Sequence, residues 1–373
     1  MRTLITAPPD GGNVVVVSGD DPAALRLRLR DDQAAPFRQW FYARIATRPG
    51  TVGITLEGLE GSSYPGGWRG YDPCVSSDGA TWSRVPGAYA DGALRFEAPA
   101  PDGILYVAYF APYGAARAQD FTARCAASPL AGYAPLGLSC EGQPIECLTI
   151  GEGARTLWVI GRQHPGESMG SWWMEGFLPR LLDEDDETAS ALRAAATVHV
   201  VPMMNPDGVA AGHLRTNAVG TDLNRAWATP CAASSPEVHA VREAMEAAGC
   251  DLFLDVHGDE AIANNFIAGA KGIPGWTERL EGLQDAFEQA LLRATPDFQT
   301  REGYPIPAPG KANPRIATNW VAQNFDCLSM TLEMPFKDAA VNPRPGEGWS
   351  PARCMQLGRD CLTAMNDVVS ALR

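Results

Sequence analysis

His164 and Glu167 stand three residues apart in His164-Pro-Gly-Glu167, directly after the apolar run 156–160. Such a pair reaches one point in space only if the chain curls between its members, and Pro165 and Gly166 supply the curl. His257, in Asp255-Val-His-Gly258, follows a second apolar run, 252–256. Two imidazoles and one carboxylate make one of the usual ligand sets of catalytic zinc, with a fourth position open to water. Glu333, in Thr331-Leu-Glu-Met-Pro335, closes a third apolar run, 328–332. A carboxylate at the rim of an apolar strand can have a raised pKa. That suits it to take a proton from metal-bound water and pass it to a leaving amine. Each piece is weak by itself, since H-x-x-E arises by chance and a strand-end Glu commonly faces solvent. Their weight comes from occurring together.

The stretch between them offers groups for an anion. Met204-Asn-Pro-Asp-Gly208 follows the run 197–203 and reads first of all as a good turn. Arg215 comes next, then Gly220-Thr-Asp-Leu-Asn-Arg-Ala-Trp227. Arg215, Asn224 and Arg225 could bind a carboxylate or polarise a carbonyl, and an Arg fork meets a carboxylate with two parallel hydrogen bonds. An enzyme that trims C-termini needs such an anchor, although most arginines of most proteins are simply solvated. The other histidines carry less chemistry. His199 falls within a strand and His239 within an amphipathic helix, both structural positions, while His213 sits in a loop near the site and could support it.

These residues need a frame that brings strand ends together. From 128 onward, apolar strand candidates alternate with helix candidates at 168–182, 236–248, 276–293 and 351–373. This is the pattern of an α/β domain with a mixed or largely parallel sheet. In such sheets ligands bind beyond the carboxyl ends of the strands, where every motif above falls. Residues 1–127 read differently. Short β-branched and aromatic runs at 13–18, 39–44, 51–55 and 104–110 alternate with turn signals such as Pro65-Gly-Gly67 and Asp78-Gly79, as in an all-β sandwich. Two domains are therefore expected, 1–127 and 128–373, with a linker at 125–135.

A chain of 373 residues with 45% hydrophobic and 20% charged residues fits two globular domains. Its formal net charge of -14 repels phosphate backbones, which argues against nucleic acid as a partner and means that an acidic substrate would need a local basic pocket. Nine dispersed cysteines without a C-x-x-C pair argue against a disulfide framework and a cysteine-based zinc site. They point to a reducing compartment, with all nine acting as small buried hydrophobes. The first residues lack the apolar core of a signal peptide and no run has membrane-spanning length, so a cytoplasmic protein without membrane contact is expected.

In order, H-P-G-E, N-P-D-G, a following Arg, G-x-D-L-N-R, D-x-H-G and T-L-E resemble the zinc carboxypeptidase family. Gln163-His-Pro-Gly-Glu-Ser168 and Gly220-Thr-Asp-Leu-Asn-Arg225 are similar to the versions in its cytosolic carboxypeptidase subgroup. Gln39-Trp-Phe-Tyr42 and Tyr106-Val-Ala-Tyr-Phe-Ala111 look like marker strands of that subgroup's N-terminal β domain, so the resemblance covers almost the whole chain. It implies an α/β/α catalytic domain with a mixed eight-stranded sheet and one Zn2+ per chain on His164, Glu167 and His257. It further implies Arg215 on the scissile carbonyl and its oxyanion, Asn224 and Arg225 on the terminal carboxylate, and Glu333 as general base. The substrates would be peptide or protein C-termini. The family also has a substrate-contacting Tyr upstream of the base. Here Lys311 holds that register, and Tyr304 is the nearest Tyr before it. Eukaryotic members of the subgroup remove glutamates or a terminal tyrosine from proteins such as tubulin, and they carry an Arg comparable to Arg315. Lys311 and Arg315 would then form a basic pocket for an acidic terminal side chain, the alternative being two exposed loop charges. The compact, undecorated chain looks bacterial.

Two other readings stay open. Relatives resembling succinylglutamate desuccinylase or aspartoacylase use such a zinc site to deacylate N-acyl amino acids, though they usually lack an N-terminal β domain of this type. A catalytically silent protein could use the groove to hold C-termini, against which every expected catalytic position is filled by a competent residue.

Overall fold

The computed structural model describes residues 2–373. In the strand Gly50–Glu57 the side chains of Val52, Ile54 and Leu56 are buried and those between them less so. The same period of two recurs in Leu25–Arg28 and Ala93–Ala100, as expected of strands with one face on a core. These strands form a five-stranded sheet in the order Val15–Ser18, Leu25–Arg28, Gly50–Glu57, Ala93–Ala100, Gly87–Ala90. A second five-stranded sheet, in the order Leu4–Thr6, Tyr42–Ala46, Ile104–Ala108, Cys74–Ser76, Ser83–Arg84, packs Ile45, Leu105 and Val107 into the same core. The N-terminal region is thus the expected sandwich.

Two boundaries differ from expectation. The stretch 125–135 is not a linker. Cys125 and Ala126 close the helix Ala115–Ala126, and the strand Ala131–Leu138 begins soon after. Pro135 is tolerated because this is an edge strand and the ladder skips a residue between Pro135 and Gly137. The helix Ala115–Ala126 lies in a stretch expected to be all β. It starts where the Asp10 carboxylate accepts from the N–H groups of Ala115 and Ala116, and it packs on the helix Met169–Leu181.

The second sheet system has seven strands in the order Ala131–Leu138, Pro144–Ile150, Ala196–Val201, Arg155–Gly161, Leu252–Asp259, Leu328–Pro335, Phe266–Gly269. The four strands from Ala196–Val201 to Leu328–Pro335 run parallel, and the outer three are antiparallel to their neighbours. The implied eighth strand is reduced to one bridge between Asn265 and Phe298. Pro296 has no N–H to extend a ladder, and the side chains of Asn265 and Gln299 take backbone carbonyls of the opposite segment instead.

Alternation along the parallel strands divides the core. Leu157 and Val159 face one side, with the helices Met169–Leu181, Glu278–Ala294 and Pro351–Val369, while Trp158, Ile160 and Phe253 face Pro236–Ala248 and Ala317–Phe325. The first of these cores continues into the sandwich, where Tyr109 stacks on Phe336 with ring centroids 4.5 Å apart. Cys140 is half-buried and Cys231 exposed, so not every cysteine serves as a buried hydrophobe. Among the described residues no helix is long and apolar enough to cross a membrane.

Asp32 makes the tightest polar joint between the two regions. Its carboxylate accepts from the backbone N–H of Leu214 at 2.6 Å, Arg215 at 2.8 Å and Thr216 at 2.9 Å, and from the Thr216 hydroxyl at 3.1 Å. His213 joins the same loop to the sandwich: its Nδ1 donates to the Thr216 carbonyl and its Nε2 accepts from Gln33 N–H. Replacing Asp32 by Ala strands these buried donors and should cost about 3 kcal/mol or more. The check is the urea midpoint of unfolding, which should fall clearly; an unchanged midpoint would mean that water replaces the carboxylate without loss.

Candidate active site

The loop after the strand Arg155–Gly161 carries the first ligand pair, and it is braced from three directions. Arg162 is buried at φ 59°, a conformation that non-glycine residues rarely adopt. Its guanidinium donates to the carbonyls of Pro165 and Tyr113 and to the Ser171 hydroxyl, fixing the curl. Gly166 N–H donates to the Leu214 carbonyl, and a Cβ on Gly166 would stand 3.0 Å from that oxygen, a tight contact that a larger residue could meet only if Leu214 gave way. Asn205 caps the helix Pro206–Ala211 and its side-chain amide donates to the Gln163 carbonyl. N-P-D-G is therefore a helix start that props the loop.

His257 lies inside the strand Leu252–Asp259 rather than beyond its end, because the ladder with Leu328–Pro335 continues to Asp259. In that parallel ladder His257 and Glu333 are direct partners. Partners in register project to the same face from strands about 4.8 Å apart.

His164 Nδ1 lies 2.6 Å from Glu167 Oε1, and His257 Nδ1 lies 2.8 Å from Glu167 Oε2. All three side chains are buried. Two nitrogens bound to a tetrahedral zinc stand about 3.3 Å apart; the two Nδ1 atoms here are 3.2 Å apart. The other ring nitrogens are held by carboxylates, His164 Nε2 by Asp222 at 3.2 Å and His257 Nε2 by Asp255 at 2.8 Å. Such partners orient a metal-binding imidazole and raise its basicity. Burial alone would lower the pKa of His257, but Asp255 and Glu167 raise it well above its ordinary value. Burial would raise that of Glu167, yet the two histidines hold it below the usual carboxylate range. The donor set, its spacing and this demand for positive charge fit a zinc ion.

Arg215 is fixed at both ends of its guanidinium. Nε donates to Asp222 Oδ2 at 2.7 Å and Nη1 to the Tyr64 hydroxyl at 2.6 Å. Asn224 Oδ1 accepts from Ala317 N–H, and its amide nitrogen lies 3.4 Å from His257 Nε2. Arg225 donates one N–H to the Asn224 carbonyl. Glu333 Oε1 lies 3.1 Å from the Tyr304 hydroxyl, which also reaches Asp259, while Glu333 Oε2 is buried without a partner. Burial pushes the Glu333 carboxyl well above the carboxylate range, with His257 opposing and Glu167 and Asp259 adding to the rise.

A cavity of about 860 Å³ opens over these groups, lined among others by His164, Glu167, Arg215, Asn224, Arg225 and Glu333. Lys311 and Arg315 are not among its lining, which favours the alternative of two exposed loop charges over a basic pocket. Both are exposed, Lys311 at a turn closed by its N–H on the Ala308 carbonyl and Arg315 with Nε spent on the Arg225 carbonyl. Lys271 and Arg301 line the cavity instead, and Tyr304 takes the position beside Glu333.

Several residues of the site escaped sequence reasoning. Asp255 carried a signal, since two residues before His257 on a strand is the same face. Asp222 sits inside a motif that was read only for its amide and guanidinium. Tyr64 and Asp32 gave none, because their contacts depend on how the sandwich docks.

Comparison with known proteins finds matches for both regions of the chain. Residues 5–110 match the family model described as cytosolic carboxypeptidase N-terminal domain, and residues 126–348 match zinc carboxypeptidase. An uncharacterised protein of Zymomonas mobilis is 45% identical over 373 residues, covering 100% of this chain and 98% of that one. Cytosolic carboxypeptidase 2 of Danio rerio is 30% identical over an alignment of 283 residues that covers 65% of this chain and only 39% of that protein. The metallo-carboxypeptidase of Pseudomonas aeruginosa, solved in complex with (2-guanidinoethylmercapto)succinic acid, superposes with TM-score 0.96 at 43% identity over 99% of this chain and 100% of that one.

Asp222 holds both His164 and Arg215, so Asp222→Asn should loosen the metal as well as the arginine. Zinc affinity is expected to fall about 10–100-fold, read by competition with a chelator of known affinity. Wild-type affinity would mean that His164 is oriented by its other contacts.

Proposed function

Because the chain belongs to the zinc carboxypeptidase family and carries the N-terminal domain of the cytosolic carboxypeptidases, we propose that it hydrolyses the C-terminal peptide bond of peptides or proteins. The observation that carries this is the in-register pair of His257 and Glu333, which sets an unpartnered, buried carboxylate oxygen beside the His164, Glu167 and His257 ligand group. One zinc ion per chain, held by those three residues, would supply a Lewis acid and a water of lowered pKa.

The protein's own groups divide the remaining work. Arg225, with guanidinium donors left over after its bond to the Asn224 carbonyl, and the Asn224 amide hold the terminal carboxylate of the substrate. That anchor sets the last peptide bond over Glu333. Glu333 Oε2 takes the proton of the attacking water and returns it to the leaving amine, a task suited to a carboxyl whose pKa is raised by burial. Arg215, locked by Asp222 and still charged, donates to the oxygen of the tetrahedral intermediate. An aimed donor of this kind contributes about 3–4 kcal/mol. Action in the cytoplasm belongs to the same proposal and is supported by the names of the curated relatives.

The finer reading is a preference for acidic terminal residues. Kinship with the cytosolic carboxypeptidases supports it, and Lys271 and Arg301 are the cavity cations that would carry it. A second reading, basic terminal residues, is favoured by Glu281, Asp285 and Glu288 on the cavity wall and by the guanidinium-bearing ligand of the Pseudomonas aeruginosa relative.

Peptides ending in Glu, Asp, Tyr, Leu and Lys, assayed beside N-acyl amino acids with and without chelator, separate these readings. Chelator-sensitive release of terminal residues is expected, and deacylation without peptide cleavage would overturn the carboxypeptidase reading. Glu333→Gln should retain zinc and lose about 10²–10⁴-fold in kcat; near wild-type turnover with zinc bound would remove Glu333 as the base.

A further inference from the structure

Tyr64 belongs to the sandwich, yet it lines the cavity beside Arg215. Its hydroxyl lies 2.6 Å from Arg215 Nη1, and Arg215 is the only hydrogen-bond partner of that hydroxyl among the described residues. A guanidinium nitrogen can only donate. Tyr64 Oη is therefore the acceptor, and its own proton is left to point away from Arg215, where the protein offers it no acceptor.

The placement is built rather than incidental. Gln39, fully buried at the start of Gln39-Trp-Phe-Tyr42, grips the Tyr64 backbone from both sides: its Oε1 accepts from Tyr64 N–H at 3.1 Å and its Nε2 donates to the Tyr64 carbonyl at 3.0 Å. The same amide nitrogen also reaches the hydroxyl of buried Tyr109. On the other side, the Arg215 guanidinium lies over the Phe37 ring at 5.8 Å and is pinned by Asp222. Tyr64 and Arg215 thus form one rigid unit whose free donors face the cavity.

Resting on the hydrolase reading above, we propose that Tyr64 is a catalytic residue whose hydroxyl donates a hydrogen bond, keeping its proton, to the oxygen becoming negative on the scissile carbonyl, beside Arg215. The sandwich domain then supplies a group to the reaction as well as a wall to the cleft. Burial raises the pKa of Tyr64 above the ordinary tyrosine value although Arg215 opposes it, which keeps the donor protonated.

The test is Tyr64→Phe, which keeps the ring and removes the donor, compared with wild type as zinc-loaded full-length protein. The substrate is whichever amide the wild type hydrolyses, peptide or N-acyl amino acid, since both pass through a tetrahedral oxyanion. The expected result is a fall of about tenfold or more in kcat with KM changed less than about twofold. Zinc content and thermal midpoint should be unchanged. Binding of a phosphinic peptide, which mimics the tetrahedral state, should weaken by a similar factor in calorimetry. An unaltered kcat, a rise in KM alone, or a loss of zinc or thermal stability accompanying the loss of turnover would each overturn the role of Tyr64 while leaving the hydrolase reading intact. A wild type that hydrolyses neither substrate class would overturn both.

Discussion

Four carboxylates, those of Glu167, Asp222, Asp255 and Glu333, converge where little water can reach them. Buried charge of one sign costs several kcal/mol per ion unless it is met by the opposite sign or by hydrogen-bond donors. The surrounding structure follows from that constraint. Asp222 is met by Arg215 and His164, Asp255 by His257 and Gln163, and Glu167 by both histidines and the Gly258 N–H. Among the described residues, Asp255 Oδ1 and Glu333 Oε2 each remain without a hydrogen-bond partner, but Asp255 carries His257 on its other oxygen while Glu333 has no cationic partner in direct contact. Burial without such a partner favours the protonated form of Glu333, which is what the proposed role as general base requires. The same constraint explains why a divalent cation suits the centre: the neutral form of each histidine leaves its partner carboxylates undercompensated.

Precision in the site is maintained from outside it. The loop 213–216 carries Arg215 and has no strand or helix of its own. Its shape is imposed by Asp32 and Gln33 of the sandwich and by the Gly166 N–H of the ligand loop. An apolar core shared by both regions keeps these polar contacts in alignment. Polar and apolar contacts thus join the two domains beside the cleft.

Much of this was legible in the sequence, for identifiable reasons. His164, Glu167, His257 and Glu333 were visible because strand ends can be read from apolar runs and the ligand types are few. The helix Pro236–Ala248 was found at its observed bounds, since Ser235 and Pro236 mark its start and Gly249 its end. The failures share a cause. Lys311 and Arg315 lie near the site in sequence, but the loop path directs them outward. The stretch 125–135 reads as a linker, but Pro135 falls in an edge strand, and whether a strand is central or at an edge is a property of the assembled sheet. Tyr64 meets Arg215 across 151 residues, a separation over which no local pattern operates.

The pairing of His257 with Glu333 has a bearing on how such a protein can change. Side chains alternate along a strand, so inserting or deleting a single residue within Leu252–Asp259 or Leu328–Pro335 would turn one of the two toward the opposite layer of the molecule. The strands are closed to length variation, whereas the loops beyond them, including 299–307 along the cavity, are not bound by that parity. New substrate preferences can therefore accumulate by loop lengthening and trimming while the distance between His257 and Glu333 stays at one ladder spacing. The backbone hydrogen bonds of the sheet act as a gauge that drifting loop sequences cannot reset.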